Sequence, residues 1–467
     1  MFLSLSFFRK YNITFRLITT CTLFLSMMLS IFGCSPLSSG NRVAAPSQLP
    51  HTTWQMNAPG FWISRHPQPD QTILTPQQIE EFNRNIFNEL KLTTDLAQWP
   101  TNYAGETLKT ELNRILDHLN QEQLVFIDGK PINKEYWSSM REASNFDQIA
   151  KIIPRQYGLI VSYADQRFLP ISEGLYAKAN DVDFDELQNS ALDPGTPVVI
   201  LHKSADAQWL YVVCPISSGW VKAEHVAYAS DNEFNRFLSA SFVVITVDKA
   251  DVYLDRGLIN FYGALRMGVR LPLLEQRGEV TEVLVPIQRP NGDAELVSGF
   301  IETNQVNNGY LAYTPRQIIE QAFKLLNEPY GWGDMYGAQD CSRFLQEIFA
   351  TVGITLPRDS KNQIQVGKLL TDWNDVTTDA DKLQLLQEKA MGGISLLGMH
   401  GHIMLYLGSI DERAYAIHAV WAYRRPQDHQ DEVVVLNRVT LSDLSLGAGS
   451  RRGSWLKRIN AVRLLGL

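Results

Sequence analysis

Apolar side chains recur every three or four positions along two stretches of the N-terminal region. The first stretch contains Ile79, Phe82, Ile86, Phe87 and Leu90, and the second contains Leu108, Leu112, Ile115, Leu116 and Leu119. This spacing places the apolar residues on one face of an α-helix. We therefore predict a small α-rich domain over residues 51–155.

The pattern then changes to short β-branched or aromatic runs that are separated by turn residues. Runs of this kind predict short antiparallel strands. Runs of this kind lie at 196–201, 208–213 and 219–222, and we predict that residues 156–232 form a small β-barrel. We predict that residues 233–313 form a second barrel. Similar runs lie there at 242–247, 282–286 and 296–299, with a turn at 289–293.

A helical pattern returns after Asp340, where apolar residues fall at 344, 345, 348, 349 and 352 and Gly353 ends the run. Asp340 is a natural N-cap, which places Cys341 in the first turn of the helix. The helix dipole favours an anion there, so we expect the pKa of the Cys341 thiol to lie below its free value of about 8.5. The alternative from the residues alone is a buried structural cysteine.

Two histidines, His402 and His418, flank a polar turn between two apolar runs, a pattern that predicts a β-hairpin. With the turn centred near Ile410, residues whose numbers sum to 820 face each other, which places the two imidazoles directly opposite on one face. With Cys341 they would supply a nucleophile, a base and an orienting residue. Surface or metal-binding histidines are the alternative, but the chain lacks the closely spaced ligand set of a zinc site. We expect no metal and no cofactor.

The C-terminal motifs resemble those of the NlpC-type papain-like cell-wall cysteine peptidases. The resemblance covers residues 314–467 and rests on Tyr330-Gly-Trp-Gly333, Asp340-Cys341-Ser342, Leu356-Pro357-Arg358-Asp359-Ser360 with Gln363, and His402-Ile-Met-Leu-Tyr-Leu-Gly408 with His418-Ala419. The first β region, with Trp209 and the Gly219-Trp220-Val221 step, resembles bacterial SH3-like domains, and we predict the second β region to be another SH3-like barrel. The resemblance implies a multidomain α+β fold with a C-terminal papain-like domain.

The same resemblance implies a role for individual residues. Cys341 would be the nucleophile, His402 the base and His418 the orienting residue. Tyr330 would join the backbone N–H of Cys341 in holding an oxyanion.

Ser342 and Asp359 would bind the free amine of an N-terminal L-alanine. Without the resemblance, a cap on the turn after Pro357 is an equally good role for Asp359. Arg343 and Asp334 depart from the family pattern, in which glycine is common at both positions, and this leaves the shape of the pocket open.

Together with the two SH3-like domains and the α-rich region, the resemblance points to the branch that cleaves γ-D-glutamyl to diamino-acid bonds. It implies hydrolysis of the γ-D-glutamyl to diaminopimelate bond in peptidoglycan stem peptides or muropeptides, through a thioester acyl-enzyme. Two other functions stay open: a non-catalytic wall-binding lipoprotein, and an amidase or acyl transferase on the same fold.

The N-terminus carries basic residues followed by an uncharged apolar run, 17–33, which predicts an export signal. The run ends in Ile31-Phe32-Gly33-Cys34, which resembles the bacterial lipobox. Residues 1–33 would then be a signal peptide, Cys34 the acylated anchor in a lipid bilayer, and residues 34–50 a flexible tether. Ser35, in place of an acidic residue, favours the outer membrane on its periplasmic side. An uncleaved transmembrane helix is the alternative.

Composition and charge narrow the classes of partner. The formal charge is -8 and no long basic run is present, which argues against a nucleic-acid partner. Of four cysteines, Cys21 leaves with the signal and Cys34 is acylated, so Cys214 and Cys341 remain and no disulfide framework is expected. The oligomeric state is left open.

Overall fold

The computed structural model of the protein describes residues 49–239, 241–373, 377–428 and 430–466. The predicted signal peptide, the predicted anchor Cys34 and most of the predicted tether lie outside these residues. Across the described ranges, none of the helices has the length and apolar character needed to span a bilayer.

The helices and strands together form a multidomain α+β structure. The α-helices are α1 Pro59–Ile63, α2 Pro76–Asn88, α3 Gly105–Gln121, α4 Lys134–Ala143, α5 Asp231–Ser239, α6 Pro315–Lys324, α7 Cys341–Ala350, α8 Ser360–Gln363, α9 Asp379–Lys389 and α10 Trp455–Arg458. The strands are β1 Asn102–Ala104, β2 Ile152–Pro154, β3 Tyr157–Ile160, β4 Ala164–Arg167, β5 Gln188–Leu192, β6 Pro197–Lys203, β7 Trp209–Val213, β8 Ser218–Lys222, β9 Val226–Ala229, β10 Phe242–Ile245, β11 Lys249–Tyr253, β12 Phe261–Arg266, β13 Arg270–Arg277, β14 Val280–Gln288, β15 Ala294–Glu302, β16 Val306–Asn308, β17 Lys368–Asp372, β18 Ser395–Met399, β19 His402–Ile410, β20 Arg413–Arg425, β21 Glu432–Asp443 and β22 Ala461–Leu464.

Strands β3 to β9 form one seven-stranded antiparallel sheet in the order β5-β4-β8-β7-β6-β3-β9. Strand β7 is buried along its whole length because its alternating side chains enter two different cores. Leu210 and Val212 pack inside the sheet's own core. Trp209 and Tyr211 share a core with residues of α3.

Strands β10 to β16 form a second seven-stranded antiparallel sheet in the order β12-β11-β15-β14-β13-β10-β16. The predicted turn at 289–293 joins β14 to β15, and the N–H of Arg289 donates to the carbonyl of Asp293 across it. Gly292 lies there with a φ of 90°, a conformation that glycine adopts without strain. The turn prediction is confirmed.

The C-terminal sheet has six antiparallel strands in the order β17-β22-β18-β19-β20-β21. Helix α7 packs on β19 and β20, where Phe344 and Ile348 share a core with Ile403. Helices α1 and α2 add Trp62 and Ile79 to this same core. The predicted N-terminal helices therefore divide between the C-terminal core and the core of the first β region.

A buried ionic network links α7 to both seven-stranded sheets. Asp193, which follows β5, accepts hydrogen bonds from Arg266 of β12 at 2.9 Å and from Arg343 of α7 at 2.8 Å. Arg343 also donates to Glu347 one turn further along α7. Because each of these charges is paired, the network holds the start of α7 in a defined position relative to the β regions.

Candidate active site

Helix α7 begins as the sequence predicts, with Asp340 as its N-cap. The carboxylate of Asp340 accepts hydrogen bonds from the N–H groups of Ser342 and Arg343 at 3.1 and 2.8 Å. The backbone carbonyl of Asp340 accepts the N–H of Phe344. Among the described residues these bonds engage the N–H groups of Ser342, Arg343 and Phe344, and they leave the N–H of Cys341 without a partner in the helix.

The expectation of a lowered thiol pKa at Cys341 is wrong. Burial of the side chain, which is 7% exposed, raises the pKa of Cys341 to about 12, and the adjacent carboxylate of Asp340 adds to the rise. The N–H of Ile403 and the positive charge of Arg358 act in the opposite direction. The N–H of Ser342 at the helix terminus also lowers the pKa, but burial is the larger effect. At rest the group is a neutral thiol, which needs a base.

The two predicted histidines lie side by side at this thiol. Nε2 of His402 is 2.6 Å from Nδ1 of His418, and Nε2 of His418 is 2.9 Å from the hydroxyl of Ser442. The backbone N–H of Ile403 interacts with the thiol of Cys341, which places its neighbour His402, at the start of β19, close to the sulfur. If His402 donates through Nε2 to His418, its Nδ1 remains as a proton acceptor. His418 then donates through Nε2 to Ser442.

The predicted register of this hairpin is wrong, although the histidines still meet. Leu405 pairs with Ile417, so the numbers of facing residues add up to 822. A β-bulge at Leu407 changes this sum to 823 for the pairs nearer the turn. The turn consists of Asp411 and Glu412, both with positive φ, rather than centring on Ile410. His402 and His418 are therefore diagonal neighbours, and long aromatic side chains can bridge that offset.

Trp455 of α10 encloses the histidine pair. Its ring centroid is 5.6 Å from each imidazole, stacked on His402 at 29° and edge-on to His418 at 88°. Burial lowers the pKa of His402 to about 3, and the nearby positive charge of Arg458 lowers it further. Burial also lowers the pKa of His418, so both rings are neutral at rest.

Arg358 is the centre of a second polar cluster, directly behind the start of α7. Its guanidinium donates to Asp340 at 2.8 Å, to Asp334 at 3.1 Å and to the hydroxyl of Ser342 at 2.9 Å. It also donates to the hydroxyl of Ser190 in the first β region. Burial alone would raise the pKa of Asp340, but the charge of Arg358 holds it below its ordinary value.

The remaining predicted site residues occupy different environments. Ser342 is buried, and its hydroxyl donates to Asp340 at 2.8 Å. Tyr330 is half-buried and close enough to Cys341 for a charge on the sulfur to raise the pKa of the phenol, although burial is the larger cause. Asp359 is exposed and makes no side-chain cap bond to α8, so the capping role considered from the sequence is not realised.

The first β region also reaches the rim of the site, which sequence reasoning left unassigned. Phe184 packs edge-on against Trp332 and Trp421, at 5.4 and 5.1 Å between ring centroids. The hydroxyl of Tyr163 donates to the carbonyl of Asp334 at 2.7 Å and so fixes the loop before α7. No local motif marks these residues, because their contacts come from domain packing.

Comparison with protein families identifies two regions of the chain. Residues 175–222 match the SH3 domain of SH3b1 type, and residues 327–420 match the NlpC/P60 family. The chain therefore carries an SH3b domain and a C-terminal NlpC/P60 domain, as the motifs predicted. The assignment of the second β region as an SH3-like barrel stays a prediction.

Two curated relatives are both named gamma-D-glutamyl-L-lysine dipeptidyl-peptidase. The one from Bacillus cereus is 26% identical over 200 residues, which cover 41% of this chain and 54% of that protein. The one from Bacillus subtilis is 33% identical over 96 residues, which cover 20% of this chain and 30% of that protein. The chain thus spans about half of the first relative's length and less of the second.

A solved structure shares the fold over most of the chain. It is described as a novel NlpC/P60 endopeptidase from Photobacterium damselae subsp. piscicida, and it superposes with a TM-score of 0.70 at 21% identity. The match covers 86% of this chain and 95% of that one, which shows that the multidomain arrangement is shared.

Proposed function

We propose that this protein is a cysteine endopeptidase that hydrolyses the γ-D-glutamyl to diaminopimelate bond of peptidoglycan stem peptides. The observation that carries the proposal is the 2.6 Å contact between His402 and His418, beside Cys341 at the start of α7. A paired imidazole next to a thiol is the arrangement of a base and its orienting residue. The names of the two Bacillus relatives support a γ-D-glutamyl substrate.

The reaction begins with the thiol in its neutral form. As the sulfur of Cys341 bonds to the scissile carbonyl carbon, its proton passes to Nδ1 of His402, because that nitrogen is free to accept it. His418 stabilises the resulting imidazolium through the hydrogen bond at Nε2. The N–H of Cys341 and the hydroxyl of Tyr330 hold the oxyanion.

The intermediate then collapses and its C–N bond breaks. His402 returns the proton to the departing amine, which leaves a thioester on Cys341. Water attacks the thioester carbonyl and gives up a proton to His402. The C–S bond breaks, the new carboxylic acid is released, and the proton returns to the sulfur.

Recognition of a free N-terminal L-alanine is the second element of the proposal. The carboxylate of Asp359 is exposed, makes no cap bond and can therefore pair with an ammonium. Ser342 supports the same end of the site from within the Arg358 cluster, where its hydroxyl contacts Asp340. This role for Ser342 follows from the resemblance of its motif.

Digestion of synthetic L-Ala-γ-D-Glu-diaminopimelate peptide, followed by mass spectrometry, tests the proposed reaction. Wild-type protein should release free diaminopimelate, and Cys341→Ala should release none. Cys214→Ala is the matched control, since that cysteine is buried in another core and should leave cleavage intact. Intact peptide after incubation with wild-type protein would favour a wall-binding role. A product carrying a second acyl acceptor would indicate a transferase.

An N-acetylated peptide tests recognition of the amine. We expect acetylation to lower kcat/KM by about tenfold or more, since it removes a charge-assisted contact. Asp359→Asn should lower kcat/KM on the peptide with a free amine and should change kcat/KM on the acetylated peptide little. Equal cleavage of both peptides by wild-type protein would disprove the role of Asp359.

We further propose that the protein is a lipoprotein of the cell envelope, held in the outer membrane through acylated Cys34 and facing the periplasm. The support is the basic and apolar N-terminal pattern and the lipobox-like motif. Incorporation of labelled palmitate into wild-type protein but not into Cys34→Ser, with loss of the variant from the membrane fraction, is the expected result. Equal fractionation of the two proteins would refute the anchor.

A further inference from the structure

Arg458 is the last residue of α10 and lies next to the catalytic pair. Its guanidinium carbon is 5.0 Å from the centroid of the Trp455 ring, and that ring is stacked 5.6 Å from the imidazole of His402. Trp455 thus contacts both the arginine and the histidine. The Arg458 side chain is half-buried.

Within the described ranges, this guanidinium has no carboxylate partner and no hydrogen-bond acceptor, although its aromatic contact is well formed. The fully buried arginines of the molecule behave differently, since each pairs with a carboxylate: Arg167, Arg266, Arg343 and Arg358. The charged group that acts on Arg458 is another cation, Arg452. A half-desolvated positive charge without a counter-ion is unfavourable on its own, which indicates that an anion completes the site.

The geometry of the reaction limits where that anion comes from. His402 must protonate the departing nitrogen, so this nitrogen lies within hydrogen-bond distance of the imidazole. Arg458 lies close enough to His402 for its charge to lower the pKa of that imidazole, so a group attached to this nitrogen can reach the guanidinium. In the proposed substrate this group belongs to the diamino acid.

We propose that Arg458 binds a carboxylate of the leaving diamino acid, and that this contact contributes to the choice of substrate. The inference rests on the proposed function. Two carboxylates have the required chemistry: the α-carboxylate of the diamino acid, and the second carboxylate that diaminopimelate has and lysine lacks. An arginine suits either one, because its planar fork pairs with a carboxylate through two parallel hydrogen bonds.

The position of Arg458 is built into the fold. The buried ammonium of Lys382 donates to the backbone carbonyls of Leu456, Lys457 and Ile459, at 3.4, 2.9 and 2.6 Å. These three carbonyls surround Arg458 in the chain. The segment that carries the guanidinium is therefore held before any substrate arrives, as a specificity contact requires.

Four peptides and two variants test the inference. The peptides carry diaminopimelate or lysine at the third position, each with a free or an amidated α-carboxylate, so the amidated lysine peptide has neither candidate anion. Arg458→Met removes the charge, and Lys457→Met is the matched control because it removes an exposed charge one residue away. Each kcat/KM is measured on the plateau of that variant's pH profile, so that a changed pKa of His402 does not enter the comparison.

We expect Arg458→Met to lower kcat/KM about 10- to 100-fold on the diaminopimelate peptide, the range for losing a hydrogen bond to a charged group. On the amidated lysine peptide the same variant should act within about twofold of wild type. The two intermediate peptides then assign the contact to one carboxylate or the other. Lys457→Met should match wild type on all four.

An equal loss on all four peptides would overturn the inference and leave the proposed function standing. That result would mean that Arg458 acts on a carboxylate of D-glutamate or on His402 itself. Wild-type protein that cleaves none of the peptides would refute the proposed function and the inference with it. The two failures are therefore distinguishable.

Discussion

Replacing Arg358 with methionine should destabilise the protein strongly, because the guanidinium neutralises two buried carboxylates. Arg358 is 6% exposed and Asp334 is fully buried, and their closest atoms are 3.1 Å apart. The contact to Asp340 is 2.8 Å. Methionine fills similar space but carries no charge, so both acids would be left in the interior without their cation.

The size of the effect follows from what each acid retains. Asp334 keeps donors from Ser190 and the N–H of Ala191, and Asp340 keeps the N–H groups of α7. These neutral donors limit the loss of stability. We therefore expect the free energy of unfolding to fall by about 3–5 kcal/mol, the usual cost of breaking one buried ion pair, rather than by twice that amount. The contribution of the Asp340 pair is fully present at neutral pH, because its lowered pKa keeps the carboxylate charged there. This contribution to stability is lost only as the pH falls below 3.8, the ordinary pKa of an aspartate side chain.

Urea unfolding followed by circular dichroism measures the change. Arg425→Met is the control, because Arg425 pairs with Glu432 at the surface and should cost less than about 1 kcal/mol. Combining Arg358→Met with Asp334→Asn should recover part of the loss, since one unpaired charge is removed. If Arg358→Met unfolds within about 1 kcal/mol of wild type, the cluster is not the buried ionic site described above.

Three further changes test the proposed catalytic pair and its support. Because partial burial lowers the pKa of His402 to about 3, kcat/KM should show no inflection near 6.5 and should fall only at lower pH; a profile that turns at 6.5 would contradict a neutral, half-buried base. Ser442→Ala removes the partner of the second imidazole and should lower kcat about tenfold with KM unchanged, whereas Ser409→Ala, at the far end of the hairpin, should not. Lys382→Met should cost at least about 2 kcal/mol in urea unfolding, compared with little for exposed Lys389→Met.

Features that depend on neighbouring residues were predictable from the sequence. Asp340 caps α7 because its side chain reaches N–H groups only two and three residues ahead. The pairing of His402 with His418 was predictable because the two strands are joined by a short turn. The NlpC/P60 resemblance rested on the same local motifs and is confirmed by the family match.

Features that depend on burial or on distant segments were not predictable. The pKa of Cys341 is raised because the fold excludes water from the thiol, and no local motif reports that exclusion. Ser442 and Trp455 reach the histidines from β21 and α10, and a bulge after Val420 shifts the register that brings β21 there. A bulge of one residue is invisible in an alternating apolar pattern until the partner strand is known.

The two departures from the family pattern, Asp334 and Arg343, have a common structural explanation. Asp334 accepts hydrogen bonds from β5 of the first β region, and Arg343 pairs with Asp193 just beyond that strand. Glycine could make neither contact. Both substitutions therefore tie the start of α7, and with it the thiol of Cys341, to the SH3b domain. We conclude that this domain acts as part of the scaffold of the candidate catalytic site, so that loosening its contacts should disturb the position of Cys341.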